Sequence, residues 1–312
     1  MRSLNIYSLK NVFLAVFVVT LVLILYSFIV DVSLEFILNV NFIYVILSLS
    51  ALFFSLIISS VRLSLLSKEL RFMDSLTIWF SSQFISNITP THSGGEILRF
   101  YAITRIANNS GKNFAIVLYE ILLDVLVPNM LALFFAMFYL VAERNLYCVL
   151  PMFSSTLIVT LWVSIFLRRR KIYSAILRVI ERFGFLREYF DIKTMELNFS
   201  DVKLSILDHV IFIFLTLLKI VFTSFSVFLA YLAVGANIEF IRSLVAYLFA
   251  LSLGVVPLPA GSIGMEAGLS IIKPGAGVIL WRILAYYVLT LICLPFILNL
   301  SKTLAIRRSL NK

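Results

Sequence analysis

The chain has 312 residues, of which 62% are hydrophobic and only 13% are charged. Soluble proteins contain roughly 45–50% apolar residues, so this composition excludes a soluble enzyme, a secreted disulfide scaffold and a disordered protein. The net charge is +10, and in an integral membrane protein the first question is on which side of the bilayer such charge lies.

Six apolar segments are long enough to cross a bilayer, which takes about 20 helical residues with a rise of 1.5 Å each. They are residues 11–30, 41–61, 113–141, 147–167, 205–234 and 276–300. The first is too long for the apolar part of a signal peptide, and no small-x-small cleavage site follows it. We therefore expect an all-α polytopic membrane bundle, with residues 1–312 forming a single transmembrane domain.

Two further apolar stretches, Ser75–Ile88 and Ser243–Val256, have about 14 residues each and reach only part of the way through the hydrocarbon core. Each leads into a break rich in proline and glycine, at residues 89–95 and 257–264. We predict that both are re-entrant half-helices, which enter the membrane and return to the side from which they came.

The positions of the basic residues favour this topology, because cytoplasmic loops are enriched in Lys and Arg. If six segments cross and two re-enter, one side receives 21 of the 26 basic residues, in segments 1–10, 62–74, 99–112, 168–204 and 302–312. That side is then cytoplasmic and holds both termini of a multi-pass protein of the cell membrane. Residues 168–204 are expected to form an amphipathic connector on anionic headgroups. No aromatic platform accompanies their basic run, so nucleic acid is not an expected partner.

The two breaks divide the chain into similar halves, about 1–142 and 147–300. In both, glycines lead into a glutamate, as Gly94-Gly95-Glu96 and as Gly264-Met265-Glu266. One half-helix would enter from the inside and the other from the outside, as in inverted-repeat transporters with discontinuous helices. Since a break inside the membrane is tolerated only where protein or water surrounds it, we expect the two breaks to build a polar path.

The candidate substrate-binding residues lie at these breaks and on neighbouring helices. A helix that restarts at a glycine presents its positive end and accessible N–H groups to a phosphate or carboxylate. Arg99, one turn after Glu96, carries the planar guanidinium that suits a phosphate. The alternatives are that Glu96 and Glu266 only cap their helices, and that Arg99 only pairs with Glu96. His92, in the first break, is either a polar loop residue or a proton-sensitive contact.

Glu120 and Asp124 are four residues apart and therefore lie on one face of a long apolar helix. Charges at such a depth are costly unless they face the bundle interior or water, so the pair indicates either the lining of a polar path or a buried ion-pair network. Because a buried carboxylate needs a cationic partner, we expect both to lie near Arg282 or Arg99, with Lys219 as a further candidate partner. The full candidate set is His92, Gly94, Gly95, Glu96, Arg99, Glu120, Asp124, Gly261, Gly264, Glu266 and Arg282.

The sequence contains no residue pattern that is typical of a catalytic site. The two cysteines, Cys148 and Cys293, both lie in apolar runs, where packing thiols are typical. No zinc spacing, phosphate-binding loop or dinucleotide-binding pattern is present, and no nucleophile and base stand at a recognisable spacing. We therefore expect no cofactor, no metal and no enzymatic activity.

Residues 88–99, Ile-Thr-Pro-Thr-His-Ser-Gly-Gly-Glu-Ile-Leu-Arg, resemble the first signature of the lysylphosphatidylglycerol-synthetase transmembrane-region family, also called the flippase-like domain family. That signature contains Thr-Pro, Gly-Gly-Glu and Arg, and precedes a helix with a Glu and an Asp four apart, which Glu120 and Asp124 match. Residues 256–266 resemble the second signature, and Arg282 resembles the Arg of the last helix. The chain departs from the family at His92, where Arg is common, and at residues 262–263, which interrupt the second glycine cluster.

The resemblance implies movement of phospholipids or lipid-linked sugars between leaflets. Some members are fused to a soluble aminoacyltransferase domain, which is not expected here because the chain ends at Lys312. We expect a lipid translocator of flippase or scramblase type, whose partners are membrane lipids with anionic or phosphate headgroups. The alternatives are a non-transporting membrane partner of a lipid- or glycan-modifying enzyme, and a transporter of small solutes or ions. The lipid, the direction, the energy source and the oligomeric state stay open.

Overall fold

A computed structural model of the chain describes residues 9–89, 93–107, 110–167 and 204–310. Throughout these ranges the regular elements are helices. They are α1 (Leu9–Ile29), α2 (Phe42–Ser67), α3 (Phe72–Ile88), α4 (Ser93–Ala107), α5 (Ser110–Ala142), α6 (Val149–Leu167), α7 (Ile206–Ala233), α8 (Phe240–Leu253), α9 (Gly264–Ile272), α10 (Ala276–Arg282) and α11 (Leu289–Leu310). Short 3-10 turns at Leu34–Asn39 and Leu146–Cys148 precede α2 and α6.

Six helical segments of the described chain are long and apolar enough to cross a membrane, and they coincide with the six predicted spans. Five are α1, α2, α5, α6 and α7, and the sixth runs from α10 into α11 through a π-helical turn at Ile283–Val288. Large apolar side chains stay exposed on their outer faces, including Phe28, Phe138 and Phe214. Such contiguous apolar surface is rare on soluble proteins, so the prediction of an all-α polytopic membrane bundle is confirmed.

The end of α2 differs from the sequence prediction. The expected span 41–61 continues to Ser67, and the predicted loop 62–74 shrinks to residues 68–71, beginning with Lys68 in a left-handed conformation (φ 41°). Arg62, which was expected in this basic cytoplasmic loop, is therefore a helical residue inside the bundle. It stays in the helix because its charge is paired there, as described below.

The two short apolar stretches form the first helices of two helical hairpins. In the first hairpin α3 packs against α4, and in the second α8 packs against α9. A Cβ on Gly95 would collide with the Ser82 carbonyl, and one on Gly268 would collide with the backbone of Ala250. Glycine thus allows both pairs to approach at backbone distance. The re-entrant path of these hairpins and the inverted relationship of the halves stay predictions.

Helix packing brings both hairpins into the centre of the fold. The first hairpin lies against α2, α5 and α11, and the second against α5, α6, α7 and α10. In the second break the chain turns through left-handed residues at Ala260 and Gly261 before α9 begins at Gly264, as predicted. In the first, α3 ends at Ile88 and α4 begins at Ser93, while residues 90–92, including His92, lie outside the described residues. The connector predicted at 168–204 lies outside them too, apart from Leu204.

Candidate functional site

A cluster of charged side chains surrounds Trp79 in the first half of the bundle. Its members come from five helices, which bring together residues that are far apart in the sequence. We call it the Trp79 cluster, and it consists of Arg62 (α2), Trp79 (α3), Glu96 and Arg99 (α4), Glu120 and Asp124 (α5) and Lys219 (α7).

Arg62 forms the most tightly bonded part of the cluster. Its Nη1 and Nη2 donate to the two carboxylate oxygens of Asp124, both at 2.8 Å, and Nη1 also donates to the Thr216 hydroxyl at 2.7 Å. Two parallel bonds of this kind are among the strongest side-chain contacts in proteins. Arg62 is only 1% exposed, so this pairing satisfies a cation that would otherwise be very costly to bury.

Glu120 lies beside this pair but is held much more loosely. It is completely buried, and its nearest cationic atoms are Nε of Arg62 at 3.5 Å and Nε of Arg99 at 3.9 Å. Neither carboxylate oxygen accepts a hydrogen bond, and the two arginine Nε atoms donate none. A buried acceptor without a bond is rare in native proteins, so among the carboxylates of the cluster Glu120 is the fully buried one with the weakest contacts.

Arg99 and Lys219 lie over the Trp79 ring. The guanidinium carbon of Arg99 is 4.1 Å from the ring centroid and Lys219 Nζ is 5.1 Å from it, both within the range of cation–π attraction. Lys219 also pairs with Asp124 at 3.0 Å, whereas Arg99 reaches Glu96 only at 3.7 Å. Arg99 is therefore a buried cation whose ion pairs are all long.

The cluster has a buried side and an accessible side. The side chains of Arg62, Arg99 and Glu120 are at most 5% exposed. Those of Asp124, Lys219 and Glu96 are 18%, 22% and 30% exposed. The partly exposed members are therefore two carboxylates and one ammonium group, whereas the two arginines are buried.

A separate ion pair closes the second hairpin. Arg282 Nε donates to Glu266 at 2.7 Å, and Nη2 donates to the Ala260 carbonyl and the Ser262 hydroxyl, both at 3.2 Å. Both charged residues are almost fully buried. Glu266 lies in the first turn of α9, but its partner is the Arg282 guanidinium, so it does more than cap that helix.

The structure therefore separates residues that the sequence analysis grouped together. Glu120 lies near Arg99, as expected, and Lys219 is a partner of Asp124. Arg282 is bound to Glu266 instead of to the acidic pair. Gly94 and Gly95 are buried at the start of α4, and Gly261 and Gly264 pack against the end of α8.

Two members of the Trp79 cluster, Arg62 and Trp79, were missed in the sequence, together with Thr216, the hydroxyl partner of Arg62. For Arg62 a signal existed, because the apolar run continues past it through Leu63, Leu65 and Leu66. The predicted span 41–61 nevertheless ends just before Arg62, because a charged residue often marks the end of a membrane-spanning segment. Trp79 and Thr216 belong to apolar helices in which no local pattern distinguishes them from packing residues.

Two surface cavities lie at one end of α3. The larger, of about 540 Å³, is lined by Glu69, Arg71, Phe72, Met73, Asp74 and Ile106. The smaller, of about 170 Å³, lies beside it and extends to Asn299, Leu300 and Thr303 on α11. Neither is lined by a member of the Trp79 cluster.

Six apolar spans, two glycine-packed hairpins and buried ionisable side chains together define a polytopic membrane protein with a polar interior. More specifically, the chain belongs to the family described as lysylphosphatidylglycerol synthase TM region, whose model matches residues 12–293. The match spans both hairpins and every residue of the two charged sites, and it confirms the resemblance found in the sequence. No curated protein and no solved structure shows significant similarity to this chain.

Proposed function

We propose that the protein moves lipids between the two leaflets of the cell membrane, without a catalytic step of its own, and that the headgroup binds at the Trp79 cluster. The observation that carries this proposal is the presence of six ionisable side chains among apolar helices, three of them partly exposed at the surface of the bundle. Buried ion pairs often stabilise a fold no more than well-packed apolar residues would. A cluster of this size is better explained by a ligand than by stability.

Arg99 is the residue best placed to bind a headgroup phosphate. Its ion pairs are 3.7 and 3.9 Å long, so its donors are not committed to strong bonds with Glu96 or Glu120. A guanidinium presents a planar set of donors that matches a phosphate. The Trp79 ring supports the guanidinium from one face and restricts its orientation. The acyl chains would meanwhile stay in lipid, along the exposed apolar faces of the bundle.

Transport can be measured with the full chain in liposomes that carry fluorescent phosphatidylglycerol, phosphatidylethanolamine or phosphatidylcholine. A membrane-impermeant reductant bleaches the outer leaflet, and further bleaching reports movement from the inner one. We expect faster movement than in protein-free liposomes, with phosphatidylglycerol the fastest. If every headgroup moves as slowly as in protein-free liposomes, translocation is contradicted.

A matched pair of variants tests whether lipid transport depends on the Trp79 cluster. Arg99→Ala removes a guanidinium from the Trp79 cluster, whereas Arg242→Ala removes one from an exposed ion pair with Glu143. We expect the first variant to reduce lipid movement at least tenfold and the second to leave it unchanged. Equal activity of both variants would show that the headgroup does not depend on the cluster. Leakage of small solutes without lipid movement would favour the small-solute transporter instead.

A further inference from the structure

The charges of the Trp79 cluster balance. Within the described part of the chain, its three cations are Arg62, Arg99 and Lys219, and its three carboxylates are Glu96, Glu120 and Asp124. With all six ionised, the site has no net charge. A headgroup with one net negative charge would therefore introduce an uncompensated charge into a largely buried site, which is costly. A proton taken up by one of the carboxylates would supply the missing positive charge.

Glu120 is the carboxylate best placed to take this proton. Asp124 accepts two bonds of 2.8 Å from Arg62 and pairs with Lys219 at 3.0 Å, so its protonation would disrupt strong contacts. Glu96 is 30% exposed and can be solvated. Glu120 is fully buried and accepts no hydrogen bond, so a proton on Glu120 costs only two long ion pairs.

We propose that the Trp79 cluster binds one anionic headgroup together with one proton, which Glu120 carries. The inference rests on the proposed function and names its substrate class, which is a phosphodiester lipid with one net negative charge. The proton comes from water and forms an O–H bond on a Glu120 carboxylate oxygen. The cluster then has a net charge of +1, which the headgroup neutralises. Release of the lipid returns the proton to water, so a proton gradient across the membrane can drive net lipid movement.

Other ionisable groups near Glu120 define the controls. From neighbouring helices it faces Arg62 on α2, Arg99 on α4 and Lys219 on α7, and on its own helix it faces Asp124, while Glu96 on α4 lies on the other side of its pair with Arg99. The preceding residue, Tyr119, shares a hydrogen bond of 2.6 Å with Nδ1 of His209. A histidine variant is therefore the control for other sources of pH dependence.

Lipid binding to the purified full chain in detergent gives the primary test. The affinity for phosphatidylglycerol, the anionic probe, is measured across a pH series, with zwitterionic phosphatidylcholine as the control lipid. Because binding takes up a proton, raising the pH must weaken it, by up to tenfold for each pH unit. We expect this slope for phosphatidylglycerol and none for phosphatidylcholine. A pH-independent affinity for phosphatidylglycerol would overturn the inference.

Two variants test whether Glu120 carries the proton. Glu120→Gln keeps the shape of the side chain and removes its charge, so we expect it to bind phosphatidylglycerol without pH dependence. His209→Gln removes the imidazole that is bonded to Tyr119, next to Glu120 in the chain, and we expect the slope to persist in it. A slope that survives in Glu120→Gln, or disappears in His209→Gln, would contradict the assignment.

A measurement on the unmodified protein does not depend on the folding of any variant. In weakly buffered solution, adding phosphatidylglycerol should raise the pH by the uptake of about one proton per bound lipid, as the linkage relation requires. Binding without proton uptake contradicts the inference. If lipid moves in liposomes but its binding takes up no proton, the proposed function stands and this mechanism is rejected. If binding takes up a proton but no lipid moves, the proton-linked binding stands and the proposed function is rejected.

Discussion

Arg62 and Asp124 are joined by two parallel hydrogen bonds of 2.8 Å that connect α2 to α5 inside the bundle. Among the described contacts, neither Arg62 nor Asp124 has an ion-pair partner on its own helix. The pair is therefore both a component of the candidate site and a tie between helices that are far apart in the sequence.

Breaking this pair on one side should be strongly destabilising. Asp124→Asn leaves Arg62 buried without its main counter-charge, and we expect the free energy of unfolding to fall by about 3–5 kcal/mol. Replacing both residues, as Arg62→Met with Asp124→Leu, should recover part of this loss without restoring lipid movement. Unfolding followed by circular dichroism in detergent gives the stability, and liposomes give the transport. A double variant that transports as well as the parent would make the pair purely structural. As a control, Glu143→Gln in the exposed pair with Arg242 should cost less than about 1 kcal/mol.

The ion pair of the second hairpin should behave as a coupled unit. Arg282→Gln leaves the buried Glu266 carboxylate uncompensated and removes the donors to Ala260 and Ser262. We expect a loss of about 3–5 kcal/mol, and a partial recovery when Glu266→Gln is added. Additive losses in the double-mutant cycle would show that the two side chains do not interact.

Glycine-mediated contact inside the hairpins predicts a size limit. Gly268→Ala would push a methyl group into the backbone of Ala250, and such overpacking costs about 1–3 kcal/mol. Gly235 is a suitable control because nothing lies within 4 Å of its position and its φ is +72°, a conformation that asparagine tolerates. Gly235→Asn should therefore leave the melting temperature almost unchanged. Equal melting temperatures for parent and Gly268→Ala would mean that α8 and α9 are not in backbone contact.

The predicted topology can be tested by cysteine labelling. In a background without Cys148 and Cys293, single cysteines are placed at two exposed positions, Arg144 and Lys302. The positive-inside rule places position 302 in the cytoplasm and position 144 outside. An impermeant maleimide added to intact cells should label only position 144. Labelling of that position from the cytoplasmic face alone would reverse the orientation.

The sequence predicted those structural elements that depend only on neighbouring residues in the chain. Six runs of apolar residues predicted the spans, and the proline and glycine clusters predicted the breaks before α4 and α9. The ionic partners could not be predicted in the same way, because they depend on which helices meet. Arg62 lies at the end of an apolar run, where an arginine of an interfacial loop and an arginine buried by a partner look the same. Arg282 was one of two expected neighbours of the acidic pair of α5, beside Arg99, but the turn of the second hairpin brings Glu266 to it instead.

The π-helical turn Ile283–Val288 has a mechanical consequence. A π turn adds a residue to the helical repeat, so the helix before it and the helix after it are rotated relative to each other. Before the turn, Arg282 holds the second hairpin through Glu266. Within and after it, the Ala285 carbonyl at 3.5 Å and the Thr290 hydroxyl at 2.7 Å accept from the Asn87 amide at the end of α3.

The helix that runs from α10 into α11 therefore contacts both hairpins, the second one before its π turn and the first one within and after that turn. Deleting one residue from 283–288 would rotate Arg282 by about 100° around the helix axis relative to Thr290. We expect lipid movement in liposomes to be lost, while the helical content measured by circular dichroism is kept. Unchanged movement would show that the hairpins act separately. With the turn in place, this helix links the two hairpins mechanically, so we expect a displacement of one break to be transmitted to the other.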